Sequence, residues 1–292
     1  MRMEEIIKKA LEQHKIWLSS GGKQGEKADL NNADLRGVDL NNADLRGANL
    51  SSAFLNNSNL KSANLSRADL SGAFLNNSDL SNADLSGANL SSAFLNNSNL
   101  SGALLNGANL INANLNNANL NNVNLKNTNL RGLNLSRVNL SGALLNGANL
   151  IDADLKDANL KDANLSRADL RGAELNYADL SDADLKDADL KDADLSDADL
   201  SRVDLRGANF SQSILPKGIF IILGEQYFIS ICGDWVRVGC QAYSVSEWRQ
   251  FSMEDLSAMK GLRAVEFYPR LLDIIDFYYG KGERPVWLKE QK

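Results

Sequence analysis

The chain is poor in the residues that most often cross-link a fold or carry out chemistry. Among 292 residues there are two cysteines, one histidine and three prolines. Cys232 and Cys240 cannot form a disulfide framework, so we expect a reducing, cytoplasmic location and two buried structural thiols. The single histidine, His14, accompanies no serine or cysteine, which excludes the familiar nucleophilic triads. The composition therefore predicts a protein that is not an enzyme.

Long apolar runs and an excess of positive charge are also missing. No stretch of 18 apolar residues occurs, so the sequence predicts no helix that spans a membrane. A net charge of −6 argues against direct binding to nucleic acid through neutralised phosphates. The chain has no glycine-rich phosphate loop and no metal-ligand spacing, and we expect no cofactor and no metal. Proteins, or a second copy of the chain, are then the expected partners.

A five-residue period occupies most of the chain. Every fifth residue from Leu30 to Leu205 is leucine, 36 in unbroken succession, and Phe210 continues the series. At 28 of these 37 positions, the residue two places earlier is alanine. The residue between that position and the leucine is usually Asp or Asn. Residues two apart point to the same face only on an extended backbone, so we expect Ala and Leu both to point inward. The residue between them then points outward, and the two residues after the leucine form a corner. Because one unit buries little alone, stability must come from stacking.

The number of sides in each coil follows from a longer repeat. The motif "AFLNNS" occurs at residues 53–58, 73–78 and 93–98, a spacing of 20. Twenty residues are four pentapeptides, so a four-sided coil is predicted. It stacks two columns of side chains: outward Phe54, Phe74 and Phe94, and inward Ser58, Ser78 and Ser98.

Repeats such as "ADLRG", "ANLSR" and "ADLKD" resemble the A(D/N)LXX consensus of the pentapeptide-repeat family. That resemblance implies an all-β solenoid, a right-handed quadrilateral β-helix of about nine coils over residues 23–215. The segments "HKIWL" before the repeats and "VRVGCQ…SVSEW" after them are similar to a bacterial and phage subgroup with no agreed function. The resemblance therefore predicts the fold and leaves the activity open.

Residues 1–22 are expected to form a helix that caps the first coil, ended by Gly21 and Gly22. A membrane-surface helix is the alternative, which the weakly basic polar face disfavours. His14 is expected to pack beside Trp17. The predicted apolar helical face comprises Met3, Ile6, Ile7, Ala10, Leu11, His14, Trp17 and Leu18.

Residues 216–292 are expected to form a small α+β domain that covers the last coil. "GIFIIL", "QYFISICG" and "DWVRVGC" indicate short strands, and "SVSE" at residues 244–247 is a capping box that opens a helix. Further helices are predicted around "MEDLSAMK" and "RAVEFYPRLLDIIDFYY", the last bent or begun near Pro269.

Three features could carry binding. The outward column of Phe54, Phe74 and Phe94 is the candidate partner-binding surface, because exposed apolar strips often mark interaction sites. Three rival explanations are rings that only stack on one another, rings covered by the chain's own segments, and rings inherited through duplication. A second feature is a predicted local widening of the core, because four large inward residues replace alanine on successive sides: Val123, Thr128, Leu133 and Val138.

The third feature is an acidic block. Residues 151–210 contain 16 acidic and eight basic residues, whereas residues 28–150 contain seven of each. This density invites comparison with family members that imitate DNA and bind gyrase, but the interleaved positive charges indicate pairing between neighbours. We therefore expect a non-catalytic protein-interaction or scaffold protein. The alternatives are a DNA mimic directed at gyrase or topoisomerase, and a structural component of a phage or cell.

Overall fold

The computed structural model describes residues 3–222, 224–259 and 263–289. The chain divides into two compact units, Met1–Lys217, here called the solenoid unit, and Gly218–Lys292, the C-terminal unit. Within the described ranges, no helix combines the length and the apolar character needed to cross a membrane.

Four pentapeptides make one coil of the solenoid unit. Parallel backbone bridges join residues 20 apart, from the Asp29–Asn49 pair to the Asp194–Ile214 pair. All 36 leucines of the series are buried, and most of the small residues two places before them are buried beside them. The predicted period of 20 residues is thus confirmed, and the core is a stack of Leu and Ala layers.

Each corner is a β-turn closed by a hydrogen bond, as when the amide of Ala33 donates to the carbonyl of Leu30 at 3.1 Å. The residue two places after every leucine of the series has a positive φ, for example 55° at Asn32 and 67° at Gly37. Glycine adopts this region without penalty, and Asn and Asp tolerate it better than other residues. The turn explains why the repeat carries "RG", "NN" or "KD" after its leucine.

The outward Asp or Asn has two structural roles. Its Oδ1 accepts the amide two residues on, as between Ser81 and Asp79 at 2.9 Å, which begins the corner. Where the residue is Asn, its Nδ2 can also donate to the Oδ1 of the residue 20 places earlier, as in the Asp79–Asn99–Asn119 ladder at 3.2 Å per step. These contacts explain the residue type between Ala and Leu without reference to any ligand.

The predicted internal serine column is present. Ser58, Ser78 and Ser98 are buried, and each hydroxyl donates to the carbonyl three residues earlier at 2.6–2.7 Å. The hydroxyls are satisfied locally, so this column is structural.

Helix α1, Met3–Ser19, precedes the first coil and is followed by a turn in which the amide of Gly22 donates to the carbonyl of Trp17 at 2.8 Å. His14 is buried and stacks on Trp17, with 5.6 Å between ring centroids, as expected. The Nδ1 of His14 accepts the amide of Ala28 at 3.1 Å, which ties α1 to the start of the repeats. The predicted apolar face included Met3 and Ile6, whose side chains lie outside those described.

Acid is expected to weaken this contact. Burial lowers the pKa of His14 below its ordinary 6.5, with Asp44 opposing and with Lys27 and Arg46 adding to the decrease. As the pH falls below about 6.5, His14 takes up a proton in the unfolded chain but not yet in the folded chain. The free energy of unfolding therefore decreases until the pH reaches the pKa of His14 in the folded chain, and then it stays constant. Denaturant midpoints between about pH 7.5 and 5 should fall for the native chain. A His14→Gln variant, which keeps an uncharged acceptor, should show a smaller fall, and identical profiles would contradict the expectation.

The C-terminal unit contains an antiparallel sheet in the order β1-β2-β3-β4: Ile219–Ile222, Ile229–Cys232, Trp235–Val238 and Gln241–Ser244. Apolar residues at alternate positions of β2 and β3 are buried in the core of this unit: Ile229, Ile231, Val236 and Val238. The fourth strand was not predicted, because "QAYS" is short and lacks an apolar run.

Four helices follow in the described part of this unit: α2, Val245–Gln250; α3, Met253–Ala258; α4, Ala264–Tyr279; and α5, Val286–Lys289. The capping box predicted at Ser244 and Glu247 is confirmed, with the amide of Ser244 donating to the Glu247 carboxylate at 2.7 Å. Helix α4 starts at Ala264 and contains Pro269, so a helix start at the proline is wrong. Pro269 is the sixth residue of α4. Because proline has no amide hydrogen, one backbone hydrogen bond is missing from the first turns of the helix.

Candidate interaction surface

The predicted phenylalanine column lies on one outward side of the solenoid unit. Parallel backbone bridges join Phe54 to Phe74 and Phe74 to Phe94. Successive ring centroids are 5.0 Å apart, with interplanar angles of 4° and 3°. Phe54 and Phe94 are each 40% exposed, and Phe74 between them is half-buried. We call these three rings the phenylalanine strip.

The stacking determines which part of each ring meets solvent. Parallel rings at this spacing cover one another's faces and leave ring edges outward. The edge of an aromatic ring carries the positive part of its quadrupole, so the strip best accepts an aromatic face or aliphatic groups. The backbone of the strip is held from both neighbouring coils, as in the 2.9 Å bond from the Phe74 amide to the carbonyl of Ala53 and the 2.7 Å bond from the Leu75 amide to the carbonyl of Phe94. The surface is therefore already ordered before any contact is made.

The borders of the strip are small and uncharged. One corner carries serine and glycine, and the other carries asparagine, where the Nδ2 of Asn96 donates to the Oδ1 of Asn76 at 2.9 Å. The first charge below the strip on the same side is Asp34, which Arg36 binds at 2.6 Å. That bond lowers the pKa of Asp34 to about 2, so the pair stays ionised and mutually neutralised. Uncharged borders reduce the desolvation cost of docking.

One apolar neighbour was missed. Ile111 occupies a corner position that is usually polar and is 49% exposed. The amide of Ser92 donates to its carbonyl at 2.8 Å, which places Ile111 one coil above Ser91 and beside the side that carries Phe94. The sequence does contain a sign of this apolar corner. The segment "NLI" occurs at residues 109–111 and 149–151, and its isoleucine stands where a polar corner residue is usual.

Several carboxylates of the acidic block are paired with basic side chains. Arg171 binds Asp169 at 2.7 Å and lies 3.8 Å from Asp189, and Arg202 binds Asp182. The bond to Arg171 lowers the pKa of Asp169, so the carboxylate is stabilised in its charged form. Carboxylates stand on all four sides, as four bridges show: Asp154–Glu174, Asp169–Asp189, Asp179–Asp199 and Asp184–Asp204. The arrangement fits a solvated ionic surface.

The other titratable groups bear on two further kinds of site, a metal site and a cleft in the C-terminal unit. In the described part of the chain, no group of three or more His, Cys, Asp or Glu residues is arranged to hold a metal ion. A cleft of about 620 Å³ in the C-terminal unit is lined by Arg249 and Arg284, among others. Asp276 binds Arg249 at 3.1 Å and Arg284 at 2.7 Å, so both guanidinium groups are engaged by a carboxylate.

The expectation of two buried thiols is wrong. Cys240 is exposed in the turn between β3 and β4, and Cys232 is half-buried at the end of β2. The apolar sequence around them suggested burial, but a hairpin turn places Cys240 in solvent.

The similarity to known proteins lies in the repeat region. A family profile described as pentapeptide repeats matches in eight copies over residues 26–61, 63–102, 93–132, 134–172 and 173–212. A search of curated proteins found no match.

Three solved structures illustrate the similarity. HetL from the cyanobacterium Nostoc sp. strain PCC 7120, a pentapeptide repeat protein involved in heterocyst differentiation regulation, is 34% identical over 70% of this chain and 95% of its own, with a TM-score of 0.34. A thylakoid lumen pentapeptide repeat protein from Arabidopsis thaliana is 29% identical over 34% of this chain and 69% of its own, with a TM-score of 0.33. QnrB1, a plasmid-mediated fluoroquinolone resistance protein, is 20% identical over 51% of this chain and 83% of its own, with a TM-score of 0.30.

Proposed function

The chain belongs to the pentapeptide-repeat family, and from that premise we propose that it is a non-catalytic, cytoplasmic scaffold whose phenylalanine strip contacts a protein partner. Members of the family fold as right-handed quadrilateral β-helices, which present fixed outward columns of side chains. The observation that supports the proposal most is the repetition of an exposed or half-buried Phe in three successive coils, in a position usually filled by Asp or Asn.

The strip has the properties of a modest protein interface. Burial of apolar surface contributes about 25 cal/mol per Å², so three ring edges and the adjacent Ile111 supply a few kcal/mol at most before the cost of association. The rigid backbone adds no ordering cost on this side of the interface. The strip therefore fits a partner that contributes aromatic faces or aliphatic side chains to a small, reversible contact.

The DNA-mimic alternative is weaker. It depends on a dense field of unpaired negative charge, whereas arginines in the acidic block bind carboxylates directly, as Arg206 binds Asp204 at 2.5 Å. Pairing reduces the field that would attract a DNA-binding groove. The repetition of Phe has a rival in duplication history, since copying one coil would carry its ring along without selection for binding.

Replacement of the strip distinguishes binding from inheritance. The triple variant Phe54→Asn, Phe74→Asn, Phe94→Asn introduces a residue common in this position, so folding should be retained with a loss of about 1–3 kcal/mol from two ring pairs. We expect this variant to lose bound partner in affinity capture, or dimer mass in light scattering if the partner is a second copy.

The matched control is Leu104→Asn with Leu144→Asn, which removes apolar residues from the same repeat position on the opposite side. It should keep the partner and the mass. If both variants retain every partner and the native mass, the strip has no binding role and the proposal fails.

A further inference from the structure

The hydrogen-bond ladder of the solenoid unit is interrupted at one place. The bridge that would join Asn114 to Asn134 is missing from an otherwise continuous series between residues 29 and 214, all of which the structure describes. The amides of Leu110 and Leu115 make no bond to the coil that follows, whereas the corresponding amide of Leu90 bonds at 2.7 Å. We call this gap the 114/134 boundary.

The interruption affects both directions of the ladder within this described stretch. The amides of Asn129, Asn134 and Asn139 have no bond back to the carbonyls of the preceding coil. Every other outward residue from Asn49 to Ile214 makes that bond at 2.8–3.0 Å. Backbone hydrogen bonds between the two coils are therefore absent on two neighbouring sides and reduced on a third, and the bridge itself is lost on the side of Asn114.

Three sides keep a backbone bridge across this pair of coils: Leu104–Asn124, Asn109–Asn129 and Asn119–Asn139. Only the first of them keeps its hydrogen bonds in both directions, from the Leu105 amide to the carbonyl of Asn124 at 2.9 Å and from the Asn124 amide to the carbonyl of Ala103 at 3.0 Å. The coil after the gap is also bonded to its successor, as in the 3.0 Å bond from the Asp154 amide to the carbonyl of Leu133. The separation is thus limited to the N-terminal side of one coil.

Core volume explains the position of the gap. Leu133, one of the large inward residues, stands directly before Asn134, the residue whose bridge is missing. In the layer below, Ala113 is 7% exposed, whereas most inward alanines are completely buried or nearly so. Extra methylene groups in a close-packed core force the backbone apart, here across the layer beneath Leu133. Four buried side chains supply the added volume on successive sides: Val123, Thr128, Leu133 and Val138.

We infer that the 114/134 boundary is a hinge that divides the solenoid into two cooperative parts, opening on the side of Asn114 and turning about the fully bonded side at Asn124. A solenoid is stabilised by contacts between neighbouring coils, so the pair of coils with fewest bonds separates first. The two parts keep their own ladders while the hinge opens. This inference does not depend on the proposed partner-binding role of the strip.

Hydrogen exchange measured residue by residue tests the hinge in the native chain. After correction for intrinsic rates, five amides at the gap should exchange at least tenfold faster than their counterparts two coils later. The amides at the gap are those of Leu110, Leu115, Asn129, Asn134 and Asn139. The counterparts are those of Leu150, Leu155, Asp169, Glu174 and Asp179, which all make their ladder bonds. Equal protection in the two sets would overturn the inference without any variant.

A single substitution tests the cause. Leu133→Ala restores the usual small residue and should slow exchange at Asn134 and Leu115 at least tenfold. The control Val203→Ala removes a large inward residue from a distant coil and should leave both rates unchanged. If Leu133→Ala leaves these rates as they are, or if Val203→Ala changes them equally, core volume at this layer does not set the hinge.

Discussion

One extra pentapeptide inserted after Gly87 is expected to lower the free energy of unfolding by about 2–4 kcal/mol, whereas four extra pentapeptides inserted there should retain or raise it. The single insert copies residues 83–87, and the longer insert copies residues 68–87, a complete coil. Both inserts use the chain's own repeats, so their local propensities match. The difference between them is register.

The expected loss comes from columns that the single insert misaligns. It places Phe94 above Asp79 instead of Phe74, which removes one ring pair. It also separates Asn89 from Asp69 and breaks their side-chain hydrogen bond of 3.1 Å. The four-unit insert reproduces each of these neighbours, because the bridges join residues 20 apart.

Denaturant unfolding followed by far-ultraviolet circular dichroism gives the comparison. The single insert should lower the midpoint, and the four-unit insert should not. Equal midpoints for the two variants would show that the columns contribute nothing beyond the repeated Ala and Leu core.

Replacement of Trp248 by alanine is expected to destabilise the C-terminal unit by about 3–5 kcal/mol, a large part of the stability of a small domain. The indole is 1% exposed, and its Nε1 donates to the carbonyl of Val236 at 2.7 Å, which joins α2 to β3. Its ring meets Tyr243 and Phe251 edge to face, with centroids 5.3 and 5.2 Å away. The variant loses this packing and leaves a buried carbonyl without its donor.

Phe277→Ala is the matched control, because this aromatic residue is 81% exposed. Its effect should stay within about 0.5 kcal/mol, as for most surface substitutions. The measurement is the loss of near-ultraviolet circular dichroism from the aromatic core during denaturant unfolding. Coincident curves for the two variants would contradict the assignment of Trp248 to the centre of that core.

Much of the solenoid could be predicted because its contacts repeat. The 20-residue spacing of Phe54, Phe74 and Phe94 fixes the number of sides, and alternation on an extended backbone fixes which residues point outward. The stacked rings and the buried serines follow from these two facts. Local geometry and tertiary packing agree in this region, so the repeat pattern of the sequence was sufficient to predict which side chains stack on one another.

Other features depend on distances that a pattern does not contain. Four large residues from Val123 to Val138 predicted a widened core, but which hydrogen bonds would be lost depends on how the surrounding coils share the extra volume. Exposure of Cys240 depends on the hairpin between β3 and β4, and "QAYS" gave no sign of a strand. The position of Ile111 beside the strip could be predicted only by working out which corner residue lies above Ser91.

The fixed register of 20 residues has a consequence for the gene. Repeated coding sequence is prone to slippage and unequal recombination, which add or remove whole repeats, here in steps of five residues. In this chain only changes in multiples of twenty codons keep each column aligned. Natural length variants should therefore differ by whole coils, and the paired recurrence of "SSAFLNNSNL" at residues 51–60 and 91–100 is the trace that such an event would leave.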